Sequence, residues 1–156
     1  MCALVDANVA SEVFGPKRNE ASDKFFNWLS TGTGILVVGG QLQEELSKTQ
    51  YRDWGRQAIL SGKIKREDPH KVEAQTSKLK NERACKSNDQ HIIALAQLSG
   101  ARLLFSNDGD LQQDFKNKKL IDNPRGRVYS TKETKHYANS HKKLLGMNGL
   151  CKMTKV

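Results

Sequence analysis

Very short apolar runs, each halted by turn or breaker residues, limit what this chain can fold into. The run 3–5 stops at Asp6-Ala7-Asn8, Ile35–Val38 at Gly39-Gly40, and Leu103–Phe105 at Ser106-Asn107-Asp108-Gly109-Asp110. Runs this short between turn signals fit buried strands and not helices. Arg127–Tyr129, after Pro124-Arg125-Gly126, is read as a fourth strand. Between these runs the period changes to that of a helix. Phe25, Phe26, Trp28 and Leu29 form an apolar face closed by Gly32 and Gly34, and Leu42 and Leu46 share one side of a helix over 41–49 with Glu45 on another. Ser87-Asn88-Asp89-Gln90 fits a capping box opening a helix through Ile92, Ile93, Leu95, Ala96 and Leu98, which Gly100 ends. Residues 58–60 form only a short apolar island. Strands alternating with helices predict an α/β chain with a mostly parallel sheet covered on both faces.

Charge narrows the partners. The 156 residues hold 26 Lys plus Arg against 17 Asp plus Glu, a formal +9, which favours a polyanion. Residues 63–86 carry eight basic and four acidic side chains and read as an exposed helix or loop. Residues 131–156, with six lysines and one glutamate, read as a helix followed by a basic tail. No apolar run approaches the roughly 18 residues of a membrane span, and no leader pattern opens the chain, so no membrane partner and a cytoplasmic setting are expected. Cys2, Cys85 and Cys151 lack the spacing of a zinc or redox motif and are expected to be free thiols. His136 and His141 have no accompanying Cys pair and are read as exposed.

In an open parallel sheet, ligands bind outside the carboxyl ends of the strands. Acidic residues recur there. Asp6 follows the first strand, Glu44 and Glu45 lie in the helix after the second, Asp89 opens the helix into the third, and Asp108 and Asp110 follow the third. Each also has an ordinary structural reading: Asp6 and Asp108 as turn residues, Asp89 as a helix-dipole partner, Glu44 and Glu45 as helix surface. Together they would repel, and a hard divalent cation removes that repulsion. A basic chain with one acidic pocket points to metal-dependent phosphodiester chemistry.

These segments resemble the successive motifs of PIN-domain ribonucleases: Leu4-Val5-Asp6-Ala7-Asn8-Val9, Glu45-Leu46, Asn88-Asp89-Gln90-His91-Ile92-Ile93-Ala94-Leu95-Ala96 and Leu103-Leu104-Phe105-Ser106-Asn107-Asp108-Gly109-Asp110-Leu111. The resemblance implies a three-layer α/β/α sandwich over residues 1–130, Mg²⁺ or Mn²⁺ as cofactor, and endonucleolytic cleavage of RNA, as in the VapC-like toxins. It makes Asp6, Glu45, Asp89 and Asp108 the catalytic quartet, with Asp6, Asp89, Asp108 and Asp110 toward the metal and Asn8, Ser106 and Glu44 supporting. It further implies an antitoxin protein and a second copy of the chain as partners. Lys63, Lys65, Arg66, Lys80, Arg83 and Lys86 are the expected RNA contacts within the basic segment, and Lys116, Lys118, Lys119, Arg125 and Arg127 lie on another side. Tyr51, Trp54 and Tyr137 are candidates for stacking on bases, against the alternative of core packing.

Two other readings compete. An inert PIN-like binding module would lack a reason to keep mutually repelling carboxylates. A haloacid-dehalogenase-type phosphatase would use Asp6 as nucleophile and needs a second Asp where this chain has Asn8.

Overall fold

A computed structural model describes residues 1–147. Five strands form one parallel sheet in the order β3-β2-β1-β4-β5: β1 (Cys2–Val5), β2 (Ile35–Val38), β3 (Ile64–Arg66), β4 (Leu103–Phe105) and β5 (Arg127–Tyr129). The interior strands have no solvent-facing side. Leu4, Val5, Leu36, Val37, Val38, Leu103, Leu104 and Phe105 are fully buried, as a sheet covered on both faces requires. In register, Val5 lies opposite Phe105, so β1 and β4 end level with each other.

The strand order decides where a ligand can sit. From β1 the chain winds outward through β2 to β3, then crosses back to β4 and winds the other way to β5. Right-handed crossovers in opposite directions put helices on opposite faces, which makes the three layers, and leave a crevice at the carboxyl ends of β1 and β4 where the winding reverses. Asp6 and Ser106 are the first residues beyond those two ends.

The helices are α1 (Ala10–Phe14), α2 (Glu20–Ser30), α3 (Gly40–Leu46), α4 (Tyr51–Leu60), α5 (Pro69–Glu82), α6 (Gln90–Ser99), α7 (Gly109–Lys116) and α8 (Asn139–Gly146). Gly39-Gly40 ends β2 as expected and also starts α3. Gly40 has a φ of +55°, and a Cβ there would meet Val72 Cγ1 of α5 at 2.9 Å. Gly100, with a φ of +77°, closes α6 in the left-handed conformation.

Several expectations need correction. The capping box at Ser87 does not form: the Ser87 hydroxyl accepts from the Asp89 N–H at 3.3 Å, and α6 starts later, with Asp89 as an N-cap whose carboxylate makes no capping bond. The segment 63–86 is neither one loop nor one helix. It supplies edge strand β3 and then α5, which packs on α6. Tyr51 is buried in an aromatic cluster with Phe14 and Trp54, and the Trp54 indole donates to Ser30 Oγ at 2.9 Å, so packing occupies both rings. His141 is buried, not exposed. Its Nδ1 accepts from the Ala138 N–H, its Nε2 donates to the Ser130 carbonyl at 2.6 Å, and its ring lies 4.7 Å from that of Tyr129. Tyr137 stacks on the same imidazole, while His136 is exposed, 3.7 Å from Glu20. These contacts fix α8 against β5, and α8 also packs on α2. The expected basic tail past residue 147, and Cys151 with it, lie outside the described residues. Cys85 is a free thiol, whereas Cys2 is disulfide-bonded and departs from the expectation.

Candidate active site

Asp6 enters the crevice because β1 stops there. Its backbone N–H continues the ladder to the Phe105 carbonyl at 3.0 Å, and its side chain starts a short 3-10 turn over Ala7–Val9 by accepting the Asn8 N–H at 3.2 Å. The other carboxylate oxygen accepts the Ser106 hydroxyl at 2.9 Å. That hydroxyl in turn accepts the Asp108 N–H at 3.1 Å, so one Ser side chain ties the end of β1 to the start of α7. Asp108 caps α7 by accepting the Asp110 and Leu111 N–H groups at 3.0 and 3.3 Å.

Asp6 is only 3% exposed, and among the described residues no cationic side chain pairs with it. Burial pushes its carboxyl above the usual range against the two hydrogen bonds, and the charges of Asp89 and Asp108 push it further. Asp89, half-buried at the start of α6, is likewise raised by burial and by Asp108 and Glu45, with His91 opposing. Asp89 therefore stands within electrostatic reach of Asp6, Asp108 and Glu45, and Asp6 within reach of Asp108, although they come from four separate segments.

His91 is the member that sequence reasoning left unassigned. It is buried, and its Nε2 approaches Glu45 Oε1 to 2.9 Å, off the line of an ordinary N–H donor. The available signal was its position two residues after Asp89. The same contact separates the two glutamates: Glu45 turns inward to His91, whereas Glu44 is exposed. Asp110 is also exposed, and its backbone serves the Asp108 cap. Asn8 faces Asp6 with its backbone N–H and is itself exposed, so no second carboxylate stands where a haloacid-dehalogenase-type phosphatase needs one.

Two further networks hold the crevice. The buried Asp114 carboxylate, in α7, accepts the Lys86 and Ser87 N–H groups, each at 2.9 Å, and so clamps the loop that delivers Asp89. Asn107 accepts from the Ser130 hydroxyl and the Thr131 N–H through Oδ1 and donates to Glu12 through Nδ2, linking α1 and the ends of β4 and β5.

The expected basic contacts divide. Lys63 Nζ donates to the Gly32 carbonyl, Lys65 Nζ to the Ser99 carbonyl at 3.2 Å while lying 3.4 Å from Glu67, and Lys86 Nζ to Gln113 at 2.8 Å. Arg66, Lys80 and Arg83 are exposed.

The donor set suits a hard, hydrated cation. Among the described residues no three His, Cys, Asp or Glu groups stand close enough to enclose an ion directly. Mg²⁺ keeps several of its waters and needs only one or two carboxylates, so loosely grouped, mutually repelling carboxylates with raised pKa values fit it. Among the described residues no helix is long and apolar enough to cross a membrane.

Residues 3–116, well over half of the chain, match the protein family described as PIN domain. No curated protein and no solved structure matches the chain.

Proposed function

The chain belongs to the PIN-domain family, a nuclease-type fold, and from that premise we propose that it is an Mg²⁺- or Mn²⁺-dependent endoribonuclease. The observation that carries the reading is the buried, uncompensated Asp6 at the point where the sheet's winding reverses, joined through Ser106 to Asp108 and opposed by the charge of Asp89. In this reading Asp6, Asp89 and Asp108 would hold the cation, with Asp110 as an additional acidic group toward it. Bound there, a divalent cation lowers the pKa of water and stabilises charge on the leaving oxygen of a phosphodiester.

The chain's own groups do the rest. Ser106 and the Asn8 N–H each engage one oxygen of Asp6, which keeps that carboxylate from rotating. Glu45, held by His91 beside Asp89, takes up the proton released as water attacks. Burial of Asp6 beside the buried strand ends limits its contact with bulk water. A toxin role in the cytoplasm, with an antitoxin protein and a second copy of the chain as partners, follows from the family resemblance alone.

The test is to incubate the purified protein with end-labelled single-stranded and structured RNAs in Mg²⁺, in Mn²⁺ and in chelator, beside Asp6→Asn and Asp108→Asn. Internal cuts that need the metal and vanish in both variants support the reading. Cuts that survive chelator, or that both variants retain, overturn it.

A further inference from the structure

The strand β5 and the helix α8, both beyond the region matched to the family, line with the end of α7 a cavity of about 680 Å³. That is the size of an ordinary ligand pocket. Lys116, Arg125, Arg127, Lys132 and Lys143 line it against a single carboxylate, Glu133. Among the described residues none of the five cations forms an ion pair. Like charges gathered on one concave wall repel one another and attract an anion, and low-dielectric walls concentrate that field.

The wall has few other means of recognition. Its one ring, His141, has both nitrogens engaged and lies against Tyr129, so nothing presents a face on which a base could stack. Two residues of the cavity wall are tied by hydrogen bonds to the residues that follow β4 at the acidic crevice. Gln112 lines it and donates from Nε2 to the Ser106 carbonyl at 2.7 Å, and Ser130 lines it and donates to Asn107 at 2.8 Å.

We infer that this cavity seats backbone phosphates of an RNA strand alongside the bond to be cut, a site that reads charge and not base identity. The inference rests on the nuclease reading for its substrate and extends it by locating the strand beyond the crevice, on the β5 side of the molecule and not along α5. Lys116 and Arg125 hold the α7 end of the strand, and Arg127, Lys132 and Lys143 the α8 end.

The experiment measures binding of a labelled single-stranded RNA in chelator, where no cleavage complicates the signal, as a function of salt. Wild type is compared with Arg127→Ala/Lys132→Ala/Lys143→Ala, with the double variant Lys132→Ala/Lys143→Ala in case the β5 change disturbs folding, and with Lys78→Ala/Lys80→Ala/Arg83→Ala on α5. Thermal melting checks each fold. The cavity triple should bind at least about tenfold more weakly, and its slope of log affinity against log salt should fall by about 2, as expected for three lost phosphate contacts on a single strand. The double variant should show an intermediate loss, the α5 triple a smaller one, and inorganic phosphate or a nucleoside monophosphate should compete poorly with the strand. Unchanged affinity and slope in the cavity variants, an equal loss in the α5 triple, or competition by inorganic phosphate as effective as by the strand would each overturn the inference. Failure of the nuclease reading is distinct: RNA bound through the cavity with no cut in Mg²⁺ or Mn²⁺ sinks that reading and leaves the binding site standing.

Discussion

The crevice beyond β1 and β4 and the cavity between β5 and α8 are opposites in charge and alike in construction. In the crevice, carboxylates from four segments stand together and, among the described residues, no cationic side chain pairs with Asp6. In the cavity, five cations stand together with one carboxylate and, among the described residues, no ion pair. A chain free to minimise its own electrostatic energy would mix these groups. Keeping them on neighbouring walls lowers the stability of the unliganded protein and leaves two unmet demands, one for a cation and one for an anion. In the proposed reading, a metal ion together with an RNA strand meets both.

Four measurements test whether the two walls act separately. The largest effect belongs to Asp108→Asn, which should reduce metal-dependent cleavage by about a thousandfold while leaving strand affinity in chelator within about twofold of wild type, since the cavity is elsewhere. Parallel losses of cutting and binding would show that the two walls form one site. Next, Ser106→Ala removes the hydroxyl shared by Asp6 and Asp108. Weakening of Mg²⁺ or Mn²⁺ binding by about 10- to 100-fold is expected in a titration, with little change in RNA affinity.

Third, Asp114→Asn puts an amide where two backbone N–H groups need a charged acceptor. Denaturant unfolding should report a loss of about 1–3 kcal/mol, and an unchanged midpoint would show that the clamp on the Asp89 loop contributes nothing. The smallest effect concerns pH. In metal-free protein the Asp6 carboxyl is raised above its ordinary value of 3.8 by burial, so between the unfolded and folded values the native state binds the extra proton. Stability from this group is full below the unfolded value and is lost as pH rises through the folded one. The stability difference between Asp6→Asn and wild type, followed by thermal melts in chelator, should therefore grow in the variant's favour from acid to neutral pH. A constant difference would mean that the carboxyl is not perturbed.

The central strands were legible in the sequence because burial on both faces demands a continuous apolar run, and β1, β2 and β4 supply one each. The edge strand β3 was not. Ile-Lys-Arg has one apolar residue, since an edge strand is covered incompletely and carries charge on its open side, so it disappeared into the basic run around it. Helix α4 showed only as an island because its buried side, Tyr51, Gly55 and Ala58, is thinly apolar, and α7 was hidden behind the turn signals that open it. Within the crevice, Asp6 and Asp108 could be read because a strand end locates them. The Asp114 clamp and the Asn107–Glu12 contact could not, since their partners lie 28 and 95 positions apart and no local pattern announces either. Asp89 does open α6, but its surroundings differ from the expectation: the capping box would have made that helix two residues longer.

Helix α7 acts as a length gauge. Its cap, Asp108, belongs to the crevice, and Asp114, six positions on, grips the loop that carries Asp89. At 1.5 Å per residue the two are set about 9 Å apart along the axis, so the separation of two carboxylates from distant parts of the chain is measured off by one short helix. Deleting a single residue between them would swing Asp114 by about 100° and release the loop, altering the crevice without touching any residue in it.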